Sequence, residues 1–296
     1  MEKLQKALQE ARVSRKNALG RRPLAQEMPS ATPVTSQKKL SQAARKRPSG
    51  AQNVSPTQQA AHWSELIPYE PNPDHLQRHR ILTLNADPAS NPFDVLRTKV
   101  FLLMKQNGWK RLAITSPNKS CGKTTTACNL AIGLSRQREN HTMLFDMDLR
   151  RPAISDMLGR RPQHGIKAML TGETPPEDQM LCLRGNVALS LNTTAVPDAT
   201  QLMMAERTGN TLDLIQQNFD PDIMIFDLPP MFAVDDTRAF LKNVDCAMII
   251  AHAEHTKTSQ LDQCEREVAE LTNVLGVVLN NCRHISPEDE YSDTHY

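Results

Sequence analysis

The feature that most limits the fold of this chain is a short apolar stretch that runs through a Gly-Lys-Thr turn into a helical pattern. The residues are "RLAITSPNKSCGKTTTACNLAIGL" (111–134). Strand, loop and helix in this order form the context in which the pattern G-x-x-x-x-G-K-[ST] binds phosphate. Pro117 stands at the first glycine position, whereas Gly122, Lys123 and Thr124 keep the last three. The sequence therefore predicts a phosphate-binding loop with an altered first position.

Apolar strand patterns alternate with helical patterns from about residue 78 to residue 283. We predict strands at 111–116, 142–146, 187–192, 222–227, 246–251 and 275–280, and helices at 123–137, 198–217 and 258–273. This alternation predicts an α/β fold with a mostly parallel sheet flanked by helices. Because the carboxyl ends of parallel strands share one edge, where ligands bind, the residues that end these strands are candidate site residues.

The predicted loop carries groups that suit a nucleotide and its metal ion. Backbone N–H groups and the start of a helix favour phosphate. In such loops the lysine contacts the β- and γ-phosphates, and the following hydroxyl coordinates Mg²⁺. The residues predicted to bind the nucleotide here are Ser120, Cys121, Gly122, Lys123, Thr124 and Thr125.

Acidic residues end two other predicted strands. "MLFDMDLRRP" places Asp146 and Asp148 after one strand, followed by Arg150, and "DIMIFDLPP" places Asp227 after another. An aspartate at such a position also fits a helix cap or a turn. The loop and these two acidic motifs each end a strand at one edge, which favours a site in which Thr124, Asp146 and Asp227 hold the metal ion.

The amino-terminal part of the chain has a different composition. Its first 60 residues carry twelve Lys or Arg against three Glu, a net charge of +9, which leaves −7 for the rest of a chain with net charge +2. Residues 1–19 predict a basic amphipathic helix that orders against a partner or a lipid surface, with a frayed leader as the alternative. Residues 20–77 are rich in Pro, Ser, Gln and Ala and predict a disordered linker.

The remaining composition narrows the class of protein. The sequence has no apolar run of about 18 residues and no secretory signal pattern, so we expect neither a membrane span nor export. Its six scattered Cys form no C-x-x-C pair and predict reduced thiols. The basic amino-terminal region has no interleaved aromatic residues, which argues against nucleic-acid binding.

These motifs together resemble the bacterial tyrosine kinases of capsule and exopolysaccharide systems, of the cytoplasmic autokinase type. The resemblance covers about residues 91–296 and rests on "ITSPNKSCGKT", "LFDMDLRRP" and "IMIFDLPP", with "AVDD" and "VLGVVLNN" as lesser matches. It implies a P-loop NTPase fold of the MinD-like type. Partitioning ATPases of that type carry a signature lysine five residues before the loop lysine, where this chain has Asn118.

The resemblance assigns roles to the candidate residues. It implies that ATP and Mg²⁺ are bound, with Lys123, Asp146 and Asp148 in catalysis and one of the two aspartates as the base for a tyrosine hydroxyl. It also implies nucleotide contacts for Arg150, and for Asn280 or Asn281 against the adenine. The phosphate acceptors would be Tyr291 and Tyr296 in the flexible tail, residues 284–296, although such a tail can also be polar with incidental tyrosines.

The resemblance further predicts what the protein does. We expect a tyrosine autokinase that regulates polysaccharide polymerisation and export through a membrane-bound co-polymerase. It would be cytoplasmic and peripheral at the inner face of the membrane, reached through the partner or the first helix. The family's ring-forming helix reads Glu-x-x-Arg-x-x-Arg, whereas this chain has Asn91, Asp94 and Arg97, so homo-oligomerisation stays open. An ATPase switch without kinase activity and a non-enzymatic adaptor are the alternatives.

Overall fold

The computed structural model describes residues 54–283, which form an α/β unit around one eight-stranded sheet. The strand order is β1-β4-β5-β3-β6-β2-β7-β8. Strands β1 and β4 pair in parallel with each other and β4 pairs antiparallel with β5, so these two run opposite to the other six. The strands are β1 Ile67–Tyr69, β2 Arg111–Thr115, β3 Thr142–Asp146, β4 Leu181–Leu183, β5 Val187–Ser190, β6 Ile223–Asp227, β7 Cys246–His252 and β8 Asn273–Asn280.

Helices alternate with these strands along the chain and pack on the sheet. They are α1 Pro56–Glu65, α2 Pro73–Arg78, α3 Asn91–Asn107, α4 Lys123–Leu134, α5 Ile154–Leu158, α6 Ile166–Leu170, α7 Pro176–Gln179, α8 Ala199–Met204, α9 Glu206–Phe219, α10 Asp236–Phe240 and α11 Thr258–Leu271. Two short 3-10 turns span Pro88–Ser90 and Leu241–Asn243. No helix in the described part of the chain is long and apolar enough to cross a membrane.

The sheet separates two hydrophobic cores. Strand alternation sends Leu112 and Ile114 of β2 into one core, where α4 packs, and Ala113 into the other. In β3, Leu144 joins the first core and Phe145 the second, where it stacks on Phe226 with ring centroids 4.9 Å apart. The central strands are buried on both faces, as parallel sheets are, and this fixes the position of their carboxyl ends.

The structure confirms the predicted fold and shows where the predicted elements differ. All six predicted strands are present, whereas the three-residue strands β1 and β4 are additional. The predicted helix 198–217 is two helices, because Ala205 takes an extended conformation with ψ 134° between α8 and α9. The long helix α3 is also additional to the predicted helices, and Gly108, with φ +66°, caps its carboxyl-terminal end.

The predicted linker boundary at residue 77 is wrong, because the ordered unit begins more than twenty residues earlier. Ser55 caps α1 in a capping box with Gln58, and Pro56 starts the helix. The same polar residues and prolines that resemble a linker therefore act here as helix-start signals. Residues 1–53 and 284–296 lie outside the described residues, and with them lie the predicted first helix, most of the linker and the tail.

Two buried aromatic residues attach this early segment to the rest of the unit. Trp63 of α1 is 6 % exposed and donates from Nε1 to the Phe219 carbonyl at 2.8 Å. The hydroxyl of Tyr69 donates to the Leu158 carbonyl at 2.6 Å. Burial of an aromatic ring with its polar group paired is strongly stabilising, so a composition that resembles a linker still gives an ordered segment.

Two charged residues of helix α3, Asp94 and Arg97, form ion pairs within the chain. Asp94 accepts a hydrogen bond from Arg97 at 2.9 Å and pairs with Arg136 as well. At the position where the ring-forming motif of the resembled family has its first arginine, this chain therefore has a carboxylate that is engaged internally.

We predict that Trp63→Ala lowers the free energy of unfolding by about 3–5 kcal/mol, because it leaves a cavity and an unpaired carbonyl. Trp63→Phe should cost less, since it keeps most of the ring. The control is Leu102→Ala at a side chain that is 59 % exposed, for which we expect a change within about 0.5 kcal/mol. Urea unfolding measures all three, and equal costs for Trp63→Ala and Leu102→Ala would contradict the docking of α1.

Candidate nucleotide-binding site

Three neighbouring strands bring the sequence-predicted motifs to one edge of the sheet. Strand β6 lies between β2 and β3, with Asp227 opposite Ile114 on one side and Asp146 on the other. The loop that begins with Ser116 continues from β2 at the same edge. The backbone also joins the segments, because Met231 N–H donates to the Ser116 carbonyl at 2.8 Å. The candidate loop and the two acidic motifs are therefore adjacent.

The loop has the backbone conformation of a tight turn into a helix. Gly122 has φ +88° and directly precedes α4, and Ser120 has φ +61°. A serine adopts this left-handed conformation at some cost, because glycine takes it more easily. Lys123 is the first residue of α4 and is 7 % exposed. The lysine and the amino-terminal end of α4 thus meet at the position predicted for phosphate.

A second close contact fixes the loop from the side of β8. Asn280 donates from Nδ2 to the Cys121 carbonyl at 2.9 Å. A Cβ atom at Gly122 would lie 2.1 Å from the same Nδ2 atom, so the position has no room for a side chain. The sequence predicts an adenine contact for Asn280 or Asn281. The structure places Asn280 against the loop backbone, and Asn281 Nδ2 lies 3.1 Å from Nε2 of His252.

Thr124 and the two buried aspartates form the centre of the site. The Thr124 hydroxyl donates to Asp227 Oδ2 at 2.6 Å. Asp146 Oδ2 accepts a hydrogen bond from the Ile154 N–H at 3.2 Å. The other carboxylate oxygen of each aspartate is buried without a hydrogen-bond partner among the described residues. Buried oxygens of this kind need a partner, so the set of donor atoms fits a divalent cation with oxygen ligands.

The electrostatics of the three aspartates agree with this interpretation. Burial raises the pKa of Asp227 to about 6, while Lys123 and the Thr124 hydroxyl act in the opposite direction. Burial, followed by the charge of Asp227, raises the pKa of Asp146 well above its ordinary range. Burial also raises the pKa of Asp148, against the attraction of Lys123. A cation at this edge would stabilise the charged forms that burial disfavours.

Arg150 occupies a position that the sequence did not predict. Its Nε and Nη2 atoms donate to the two carboxylate oxygens of Asp236 at 2.7 and 3.1 Å, and Nη2 also donates to the Thr200 hydroxyl at 3.0 Å. The Asp236 side chain is fully buried. The predicted nucleotide contact of Arg150 stays a prediction, because here the guanidinium is held on Asp236.

Sequence reasoning gave no role to Asp236 or to the Asn280 contact with the loop. Asp236 is the last residue of the quoted "AVDD" match, so a signal was present in the sequence. The sequence pattern does not predict that the Asn280 amide contacts the loop, because this contact depends on the register in which β8 pairs with β7.

Two further candidate residues lie in the loop and in the first turn of α4. The Cys121 thiol is buried, 3.3 Å from the Asn118 carbonyl. Thr125 is partly buried in the first turn of α4, and its carbonyl accepts a hydrogen bond from Asn129. Tyr291 and Tyr296 lie outside the described residues, so their role as phosphate acceptors stays a prediction.

The fold and the loop define a class of nucleotide-binding protein. The chain belongs to the CobQ/CobB/MinD/ParA nucleotide-binding domain family, whose model matches residues 112–292. This family covers the loop, both acidic motifs and strands β2 to β8.

Curated relatives within this class are bacterial tyrosine-protein kinases, which confirms the resemblance read from the sequence. The chain is 26 % identical over 213 residues to tyrosine-protein kinase wzc of Salmonella typhi, covering 65 % of this chain and 28 % of that protein. It is 23 % identical over 203 residues to tyrosine-protein kinase YwqD of Bacillus subtilis, covering 68 % of this chain and 84 % of the relative. The chain thus spans little more than a quarter of one relative and most of the other.

Solved structures show the same fold. The kinase domain of Escherichia coli tyrosine kinase ETK superposes with a TM-score of 0.59 at 22 % identity, covering 68 % of this chain and 80 % of that domain.

We predict that Gly122→Ala abolishes nucleotide binding, because a Cβ atom would meet Asn280 and the residue would be strained at φ +88°. The matched control is Gly185→Ala, at φ +78° with no atom within 4 Å of the added Cβ. The control should lose about 1 kcal/mol of stability and bind a fluorescent ATP analogue like the wild type. Equal binding by the wild type and Gly122→Ala would contradict this account of the loop.

We also predict a pH dependence of stability in the nucleotide-free, metal-free protein. An unfolded aspartate titrates near 3.9, whereas Asp227 titrates at about 6 in the folded state. Between these values the folded state binds more protons, so the free energy of unfolding falls as pH rises from about 4 to about 6. Asp227→Asn should flatten this fall and raise stability at pH 7 by up to about 3 kcal/mol.

Denaturant unfolding at a series of pH values measures this effect. The control is Asp235→Asn, whose carboxylate is 81 % exposed and should leave the profile unchanged. A wild-type slope that Asp227→Asn does not reduce would contradict the role given to burial.

Proposed function

We propose that this chain is an ATP-dependent protein-tyrosine autokinase. One observation carries the proposal. Lys123 and the Thr124–Asp227 hydrogen bond lie at one edge of the sheet with two buried oxygens, one of Asp146 and one of Asp227, that have no hydrogen-bond partner among residues 54–283. Similarity to bacterial tyrosine-protein kinases over 213 residues supports this activity among the many found on such folds.

In this proposal the chain binds and orients the reacting groups. Lys123 and the loop backbone would bind the phosphates of ATP, and Thr124, Asp146 and Asp227 would hold Mg²⁺. The Mg²⁺ ion would supply charge neutralisation at the phosphates. Positioning and electrostatic stabilisation account for most of the catalysis in phosphoryl transfer.

Asp148 is the residue best suited to accept the proton of the tyrosine. It is only partly buried, unlike Asp146 and Asp227, and its raised pKa favours proton uptake. As the tyrosine oxygen forms its bond to the γ-phosphorus, the hydroxyl proton would pass to an Asp148 carboxylate oxygen. The bond from phosphorus to ADP then breaks, which gives phosphotyrosine and ADP.

The proposed acceptors are Tyr291 and Tyr296. The thirteen residues from His284 to Tyr296 have a contour length of at most about 45 Å. Strand β8 ends at Asn280, which contacts the loop, and residue 284 follows four positions later in the chain. This distance allows either tyrosine to reach the site of its own chain or of a neighbour.

The wider role follows from the family resemblance. We propose that the kinase acts in exopolysaccharide or capsule synthesis and is activated by a membrane-bound co-polymerase. It would be held at the inner face of the membrane by that partner or by residues 1–19. The similarity to tyrosine kinases supports this role, since the resembled family works in such systems.

An ATPase switch of the partitioning type is the second candidate, because the chain shares the domain family of MinD and ParA. One observation weighs against it. Asn118, where those proteins have their signature lysine, donates from Nδ2 to Gln260 Oε1 at 3.0 Å. An amide held within the chain cannot supply the charge of that lysine to a bound phosphate.

We predict that the purified protein, incubated with Mg²⁺ and ATP, gains phosphate on Tyr291 or Tyr296, mapped by mass spectrometry. Lys123→Met should abolish the modification, because it removes the cation at the phosphates. Asp148→Asn should slow it by at least about 100-fold, the usual contribution of a general base. The incubation is run with and without membranes from the source organism, which supply the proposed activator.

Two controls separate the candidate functions. A Tyr291→Phe/Tyr296→Phe variant should keep ATP binding and lose the phosphotyrosine signal. ATP hydrolysis with an unmodified tail, under both membrane conditions, would overturn the autokinase and favour the ATPase switch.

A further inference from the structure

A second group of potential ligands lies where α1 meets α7, and none of its members belongs to the nucleotide site. His62 and Glu65 are in α1, and Glu177 is in α7. One ligand atom from each of the three side chains lies within 4.8 Å of the other two. Among the described residues, this is the group of His, Cys, Asp and Glu side chains with the spacing of a metal site.

The helices arrange these side chains without any special backbone conformation. His62 and Glu65 are three residues apart in α1, so they project from the same face of the helix. Glu177 comes from a segment 115 positions from His62, and its Oε1 lies 2.8 Å from Nδ1 of His62. Two ligands from one helix and a third from a distant segment would link the two segments through any ion they share.

The charges of the group favour a cation. In the described part of the chain, neither Glu65 nor Glu177 forms an ion pair with a lysine or an arginine. Two carboxylates this close repel each other, and an imidazole offsets the repulsion only when it is protonated. A neutral imidazole instead offers a lone pair, which together with two carboxylates makes an N,O,O ligand set.

One ligand of this set is held in place and the other two can adjust. The His62 ring packs against Phe219 with centroids 5.3 Å apart, and the neighbouring Trp63 is buried and hydrogen-bonded to the same residue. Glu65 is exposed and can rotate freely about its side-chain bonds, and Glu177, although only partly exposed, already lies 2.8 Å from Nδ1 of His62. Tetrahedral zinc needs ligand atoms about 3.4 Å apart, which small rotations supply.

We propose that His62, Glu65 and Glu177 bind one divalent transition-metal ion of the zinc class, with water completing its coordination. The metal would act as a clip that fastens α1, the first described helix, to α7. An imidazole with two carboxylates suits Zn²⁺ and its neighbours, whereas Mg²⁺ prefers oxygen ligands alone. The site is therefore chemically distinct from the magnesium site proposed at the nucleotide edge.

Calorimetric titration of the full-length, nucleotide-free protein with Zn²⁺ tests the proposal, together with thermal unfolding in the presence of the metal. We expect one Zn²⁺ per chain at this site and a rise in Tm, because the metal binds only the folded arrangement. His62→Ala and Glu177→Gln should each weaken Zn²⁺ affinity at least tenfold and remove the rise in Tm. Any binding or rise in Tm with Mg²⁺ at the same concentration should be unchanged in His62→Ala and Glu177→Gln, because Mg²⁺ would act at the nucleotide edge.

Matched controls test an exposed histidine and the exposed thiol elsewhere in the described part of the chain. His255→Gln alters an exposed imidazole that lies beside His252, and Cys282→Ser removes the exposed thiol. Both variants should bind Zn²⁺ like the wild type. The proposal is overturned if Zn²⁺ binds no more tightly than about 1 mM, or if tighter binding survives both His62→Ala and Glu177→Gln.

Discussion

The hydrogen bond of 2.6 Å between the Thr124 hydroxyl and Asp227 is the contact on which the site depends. It joins the first turn of α4 to the end of β6, and β6 is the strand that lies between β2 and β3. Asp227 is buried, so its carboxylate is positioned by the surrounding protein and has almost no contact with solvent. The position of the loop is therefore set by the same strand register that brings Asp146 opposite Asp227.

Burial of these carboxylates has a cost that the chain only partly offsets. Lys123 and Thr124 favour the charged form of Asp227, yet burial still raises its pKa to about 6. One oxygen of Asp146 and one of Asp227 have no hydrogen-bond partner in the described part of the chain. A protein keeps such groups where a ligand completes them, because unpaired buried oxygens otherwise reduce stability. Without a cation these buried carboxylates therefore lower the stability of the fold, and a bound cation would offset that cost.

Most of the sheet and the identity of the site could be predicted because both depend on local patterns. Apolar runs that end in aspartate mark strands whose carboxyl ends must share an edge, as Asp146 and Asp227 show. The sequence did not predict the early helix α1, because serine and proline are common both in linkers and at the start of helices, as Ser55 and Pro56 are here. Only the burial of Trp63 distinguishes a helix from a linker in this segment. The pairing of Arg150 with Asp236 also depends on tertiary packing.

The end of β8 connects the last strand of the sheet to the site. Asn280 accepts the Ala253 N–H through its carbonyl and donates its amide to Cys121, so β8, β7 and the loop meet at one residue. Gly122 is needed next to that amide because no side chain fits there. A substitution or movement that displaces Asn280 would therefore remove this hydrogen bond to the loop without changing any residue of the loop. Asn280 therefore links the end of the last strand to the phosphate-binding loop.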